Sequence, residues 1–567
     1  MKAHLSLKRW KIILDRPYIL FETTTVIFGT RSRRVGEILV FLPLHNGAII
    51  RYCNSTKIMH RQHNMKKYQW YLLGIIFLFC LTSVTLFEKI TVSGGLGWDG
   101  WSYNRIVMHF NEIIVNGNTT AYHLRRSLPS VATYFLFKIV GSIGMLVGFT
   151  SLTPTVPMVI TCFSLWSMLA ITGSNFYLFK IYDKFEFEKN LQIICFFLFN
   201  LTYIVAKFPF FYPVLTDHLA ILIATASMYA YFFEKPKFLL TLFLIGYFTF
   251  PTLFLVTGIL FIFPHGGTVR RIVEITKKRI FYTFISVFSV AMPIAFYKLD
   301  AIKILIVDAH KFFPLFIDNK LLINGESEVN TMLVPLSIVL VFAYLVSIAL
   351  IFKPLDILQQ VIQKINIKRL ALIGLLLICL SQIIKYHSTS VGFSDVDFAR
   401  NLITQSIKQP LGSYLSHFSY FGVAFILPFL YYKYCPKVLK TIGLGAALVM
   451  LFHLILMIGS ESRQFLAVFP FLIIFSGLLV KENFRVNQKT ILIVAVMSFV
   501  LSTLWLPINQ TISYKRLNEI NMPYLYAIHH GPWMPAEFYY LLVPVCMSTI
   551  VLLKCALKLH PTGPDRF

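Results

Sequence analysis

Asp99 lies between two tryptophans in "GWDGWSYNRIVMHF" (97–110), directly after the first long apolar run of the chain. A carboxylate at the mouth of an apolar run has two uses. It can face a cavity and take part in chemistry, because ionisable groups near membrane depth are costly and usually functional. It can also be a solvated loop acid that caps a helix, a position aspartate favours. Further on, "YHLRRSLP" sets Arg125 and Arg126 side by side. The planar guanidinium fork suits phosphate, and lipid-headgroup contact or a loop salt bridge are the alternatives. Asp217, followed by His218, opens an apolar run in "FPFFYPVLTDHLAILIATASMY". Glu461 and Arg463 occupy a short connection in "GSESRQFLAVFPFLII", either as a structural ion pair or as a substrate contact.

What must position these residues is a membrane. The chain has 567 residues, 57% of them hydrophobic and only 14% charged, where a soluble domain carries about 25% charged. Its mean hydropathy is +0.69. Apolar runs recur from Trp70 to Leu557, each near the ~20 residues that cross a bilayer core of roughly 30 Å. They lack the alternation of barrel strands. The expected fold is therefore an all-α polytopic membrane protein with about 12–14 membrane-embedded helices, counted from runs of spanning length.

The net charge of +27 is read as the excess of Lys and Arg that sets orientation in cytoplasmic loops. No basic stripe interleaved with stacking aromatics points to nucleic acid. The connectors assigned to the inside are "KIYDKFEFEK", "EKPK", "RRIVEITKKR", "KPLDILQQVIQKINIKR", "KYCPKVLK", "KENFRVNQK" and "KCALK". They hold 22 Lys+Arg against 7 Asp+Glu. This assignment puts Asp99, Arg125, Arg126, Asp217, Glu461 and Arg463 on the outer face. The cysteines fall mostly within apolar runs and not at metal-ligand spacing, and His218, His387, His529 and His530 are scattered.

Three regions follow. Residues 1–64 are basic and lack a complete span, and "MKKYQWYLLGIIFLFC" from Met65 reads like the start of a membrane protein. Either Met65 is thus the real start, or residues 1–64 are a dispensable cytosolic extension. Residues 65–297 form the module carrying the candidate groups, and 298–567 add further spans with external loops at 298–330, 385–416 and 507–537. Two segments resist simple counting. "RSLPSVATYFLFKIVGSIG" is expected to be a short re-entrant or interfacial helix (whether 128–150 spans stays open). "FLLTLFLIGYFTFPTLFLVTGILFIFP" has basic flanks on both sides and is too short for two full spans. A pair of short helices broken at Pro251 fits it. Such a break survives only inside protein or along a cavity, so Thr249 to Thr252 should wall a cavity.

The order of parts is "DG…Y" after the first span, "Y…RR…LP", "TD" opening a span, and a late "ESR…P". It resembles the polytopic glycosyltransferases of the GT-C fold. The resemblance covers roughly Gly97 to Thr257 and, more weakly, 459–475. It departs at "TFPT" (249–252), where such relatives often read "RET" or "KET". The resemblance implies transfer of a sugar from a polyprenyl- or dolichyl-phosphate carrier to a glycan, lipid or protein acceptor on the external or lumenal face. Asp99 would be the general base and Asp217 the second acid of the cleft. Arg125 and Arg126 would hold the donor phosphate. Trp98, Trp101 and Tyr103 could stack on sugar faces, with Arg105, His218, Glu461 and Arg463 as further substrate-binding candidates. No cofactor is expected. Asp99 and Asp217 could share a divalent metal, though enzymes of this type are generally metal-independent. A polymerase or ligase of lipid-linked glycans is the second reading, and a transporter or flippase the third. The membrane would be a bacterial plasma membrane or an endoplasmic reticulum membrane.

Overall fold

The computed structural model describes residues 65–90, 92–146, 154–266, 334–390, 402, 406, 410–502 and 536–557. Among them the regular structure is helical throughout, and an isolated bridge joins Thr120 and Ser390. The all-α polytopic expectation holds. Among the described residues six helices are long and apolar enough to cross a membrane, and a seventh crossing arises if one bent pair counts as a single span. Residues 1–64, the loop at 298–330, and most of the loops at 385–416 and 507–537 lie outside the described residues.

The first half of the bundle runs α1 (Lys67–Leu86), α2 (Gly97–Met108), α3 (Ala121–Leu124), α4 (Leu128–Leu146), α5 (Val156–Lys184) and α6 (Lys189–Asn200). It continues through two short turns, α7 (Tyr203–Ala206) and α8 (Phe208–Phe211), into α9 (Asp217–Phe232), α10 (Pro236–Tyr247) and α11 (Leu253–Ile262). The second half holds α12 (Val334–Phe352), α13 (Pro354–Lys364), α14 (Ile367–Tyr386), α15 (Gly412–Phe421), α16 (Val423–Leu430) and α17 (Cys435–Leu456). A 3₁₀ turn, Ser462–Val468, then leads into α18 (Phe469–Asn483), α19 (Gln488–Leu501) and α20 (Ala536–Ala556). Prolines stand at the first turns of α5, α10, α13, α17 and α18. There the missing N–H is harmless and the fixed φ starts the helix.

The centre of the bundle is α9, buried along nearly its whole length, and its pairing with α5 is the most extensive between helices. A helix apolar all round belongs inside a bundle. By contrast α1, α4, α12 and α14 leave Leu78, Phe135, Phe342 and Leu375 exposed, as lipid-facing residues would be.

The bundle has two chemically different ends. At one, Gln69 at the start of α1 donates its side-chain amide to both oxygens of Asp183, at 3.1 and 3.0 Å, and to Gln192 at 2.9 Å. Lys66 pairs with Asp183 at 3.3 Å. Lys184, Lys189, Lys235 and Lys481 gather at that end, at the termini of α5, α6, α10 and α18. The opposite end carries the candidate groups.

Two connectors give a mixed outcome. α10 and α11 are 12 and 10 residues long, with the break at 248–252 as the proline and the length required. The segment from 128 is longer than the short helix expected: α4 is a 19-residue helix packed on α2 and α5. Trp166 of α5 donates to Thr133 of α4 at 3.0 Å, which ties it into the bundle.

Candidate functional site

The first turn of α2 is shaped by two glycines. Gly97 has φ +72°, a conformation L side chains rarely adopt, and a β-carbon there would lie 2.2 Å from the Tyr212 ring. A β-carbon on Gly100 would lie 2.9 Å from the Val214 carbonyl oxygen. The sequence "GWDG" therefore lets α2 lie directly on segment 212–216. Tyr212 completes the contact, its buried hydroxyl accepting the Asp99 backbone N–H at 2.9 Å.

Segment 212–216 leads straight into α9, whose first residue is Asp217. Asp99 and Asp217 thus both sit in the first turn of a helix. The partial positive charge of a helix N-terminus favours a carboxylate by about 0.3–1 kcal/mol, and more when buried. The capping reading of Asp99 is therefore half right. The acid is in a first turn, but its side chain is engaged elsewhere.

That engagement is with Arg463. From the 3₁₀ turn before α18, its guanidinium Nη2 donates to Asp99 Oδ2, and its Nε lies 3.1 Å from Asp217 Oδ1. One arginine thus joins two acids from two other elements. Its side chain is 10% exposed, that of Asp99 27% and that of Asp217 0%. Neither Asp217 oxygen accepts a well-aligned hydrogen bond from any neighbour, so the ion pair carries its charge. Charges this deeply buried hold only when paired in this way. The positive charge that a shared divalent cation would bring between these acids is here a guanidinium.

Arg126 stands beside this triad. It follows α3, is buried, and lies over the Tyr122 ring at 4.3 Å and the Phe250 ring at 5.2 Å. Burial opposes its charge, yet Tyr122, Tyr103 and Asp99 together raise its pKa above the ordinary arginine value. Burial also pushes the Tyr103 and Tyr122 hydroxyls up. It pushes His123 down, against the opposing field of Asp99. Phe250 belongs to "TFPT", so an aromatic face of that break meets Arg126. Leu128 donates its backbone N–H to Phe248 at 3.0 Å, which holds the break of α10–α11 against this segment. On its other flank the segment is stapled to the end of α14. Ala121 N–H donates to Ser390 at 2.8 Å and Thr389 N–H to Thr119 at 2.9 Å.

The cluster is recessed. His218, next to Asp217, is buried and hydrogen-bonded through Nδ1 to Ser167 Oγ at 3.0 Å. Ser167 is eleven residues into α5, so roughly three turns of that helix stand above this level. α10, starting from the basic end, reaches the Phe250 break in 12 residues. That is about 18 Å, well short of the roughly 30 Å of a hydrocarbon core.

The residues singled out from sequence divide cleanly. Asp99, Asp217 and Arg463 are in direct contact, with Arg126 and Tyr103 beside them. Glu461 lies two residues from Arg463, accepts from Gln464 at 2.5 Å, and contributes to the field on the guanidinium. Arg125 does not join the cluster: it is only partly buried and meets Tyr247 on α10. Trp101 and Arg105 stack on each other at 5.0 Å on the open side of α2, where Trp101 is 50% exposed. His218 faces α5. Trp98 opens the same turn of α2 as Asp99. Three participants were not singled out. Tyr122 had a signal, since it stands four residues before Arg126. Phe250 lay within the 249–252 break already singled out, and Tyr212 had no signal.

No family model, no curated protein and no solved structure matches the chain.

Proposed function

We propose that this multi-pass membrane protein is a glycosyltransferase that takes a sugar from a lipid-phosphate carrier at the recessed Asp99 cluster. The observation that carries the reading is the closeness of Asp99 to the buried Arg126. A base for an acceptor hydroxyl and a fixed cation for a leaving phosphate stand on neighbouring elements. The acceptor must lose its proton as it attacks the anomeric carbon, and a positioned carboxylate takes it. The carrier phosphate gains charge as the glycosidic bond breaks, and a preorganised, poorly hydrated guanidinium stabilises that charge. The open Trp101–Arg105 pair offers an aromatic face beside the cluster for a sugar.

The positive-inside rule puts the lysine-rich end in the cytoplasm and the cluster on the external or lumenal side. A cysteine introduced at Ser102 is then labelled from outside, and one at Asn483 from inside. The test of chemistry is transfer from polyprenyl-phosphate sugars by purified protein. Asp99→Asn keeps shape and hydrogen bonding but cannot take the proton, so kcat falls about 10²–10⁴-fold. Near-normal transfer by a correctly inserted Asp99→Asn protein removes Asp99 from the mechanism. No transfer from any such donor by the wild type, with transmembrane movement of the lipid instead, makes the protein a transporter.

A further inference from the structure

Arg463 holds Asp99 and Asp217 by different atoms and in different surroundings. Its Nε faces Asp217, which is fully buried and has no aligned hydrogen bond, so that pairing cannot be given up without stranding a charge. Its Nη2 faces Asp99, whose side chain is more than a quarter exposed and stands in the first turn of α2, where Tyr212 holds its backbone N–H. The two carboxylates are therefore a fixed anchor and an exchangeable partner for one guanidinium. A base bound to a guanidinium is a poor base, because the proton it must accept competes with that ion pair.

We propose that Arg463 is a phosphate-binding residue held in reserve: the substrate phosphate displaces Asp99 from Nη2 and frees Asp99 to act as the base. This rests on the reading of the cluster as a lipid-phosphate site. Asp217 keeps the Nε edge and so fixes the guanidinium plane. The Nη edge is a fork that binds carboxylate and phosphate oxygens alike. Arg126 stands across the cluster as the second cation, so the incoming anion meets two guanidinium groups and one is already neutralised by Asp217. No covalent bond changes in the exchange. One ion pair replaces another, and Asp99 becomes competent only when phosphate is present. Water is then a poor acceptor in the empty site, because the base is engaged.

The test is binding of a sugar-free polyprenyl monophosphate to the full-length protein in nanodiscs. Asp99 and the phosphate compete for Nη2, so Asp99→Asn tightens binding about tenfold, the scale of one charge-assisted hydrogen bond. Loss of simple repulsion would tighten binding too, and a second background separates the two effects. The double variant Asp217→Asn, Arg463→Gln removes the buried pair together, leaving no stranded charge. In that background nothing is left to exchange, so Asp99→Asn should tighten binding clearly less than tenfold, by the loss of repulsion alone. A tenfold gain in both backgrounds, or in neither, overturns the exchange and leaves the phosphate site standing. No binding by the wild type or any variant overturns the lipid-phosphate reading itself, and the exchange with it.

Discussion

The Tyr212 ring occupies the space a side chain on Gly97 would need, 2.2 Å from where its β-carbon would stand. The same tyrosine accepts the Asp99 N–H. Gly97→Ala therefore has two faults, a left-handed backbone and a collision. The first costs about 1–2 kcal/mol and overpacking about 1–3 kcal/mol. The variant is expected to melt at clearly lower temperature and to lose activity through misplaced Asp99. Tyr212→Phe removes only the hydroxyl and should cost about 1 kcal/mol. A Gly97→Ala protein as stable and active as the parent would show that α2 does not lie on segment 212–216.

Asp217 and Arg463 should behave as a unit in stability. Removing one partner of a buried pair costs about 3–5 kcal/mol, whereas replacing both is far milder. Arg463→Gln alone is expected to express poorly, and adding Asp217→Asn should recover much of the folded protein. Fluorescence-detected size exclusion of the single and double variants reads this directly. Additive losses would mean that the two side chains do not share a buried contact.

The adjacent arginines should differ. Arg126→Gln removes a cation from between the Tyr122 and Phe250 rings and should weaken carrier-phosphate binding by about tenfold or more, the worth of a charged hydrogen bond. Arg125→Gln, facing Tyr247, should change it less than about threefold. Arg126→Lys is expected to recover little, since an ammonium does not reproduce the stacked fork. Equal effects at both positions would put the phosphate elsewhere.

Lys89, just after α1, offers a pH-dependent readout. Its Nζ donates to the Phe210 carbonyl at 2.9 Å, and burial lowers its pKa to about 8. A folded-state pKa below the unfolded value near 10.5 means that the folded protein binds fewer protons between those two pH values. Stability from this group therefore rises with pH across that window and is lost as pH falls through about 8. The melting temperature of the wild type, relative to Lys89→Met, should rise from about pH 7.5 to about pH 9.5. A constant offset between the two proteins would show that Lys89 titrates as an exposed lysine.

Much of this was legible in the chain. Apolar length announces spans, because backbone in lipid must satisfy itself within helices. Pro251 and the short run around it announced the break between α10 and α11, because a proline and too few residues leave no other solution. Asp99, Asp217, Arg126 and Arg463 stood out singly, because a charge beside an apolar run is expensive enough to need a reason. The basic connectors likewise foretold the lysine-rich end of the bundle.

Only the tertiary structure decided who meets whom. Arg463 and Asp99 are 364 residues apart, and no periodicity reports a contact between elements so distant in sequence. Arg125 and Arg126 are indistinguishable in a string. One turns to Tyr247 and the other enters the cluster, because the end of α3 is pinned between α14 and the α10–α11 break. Tyr212 carried no signal, because its role depends on a glycine from another helix leaving it room. The sequence by itself determined a membrane bundle with charged groups at one mouth. The packing of α2, α9 and the turn before α18 determined that two of those acids share one arginine, since burial forces each charge to find its partner.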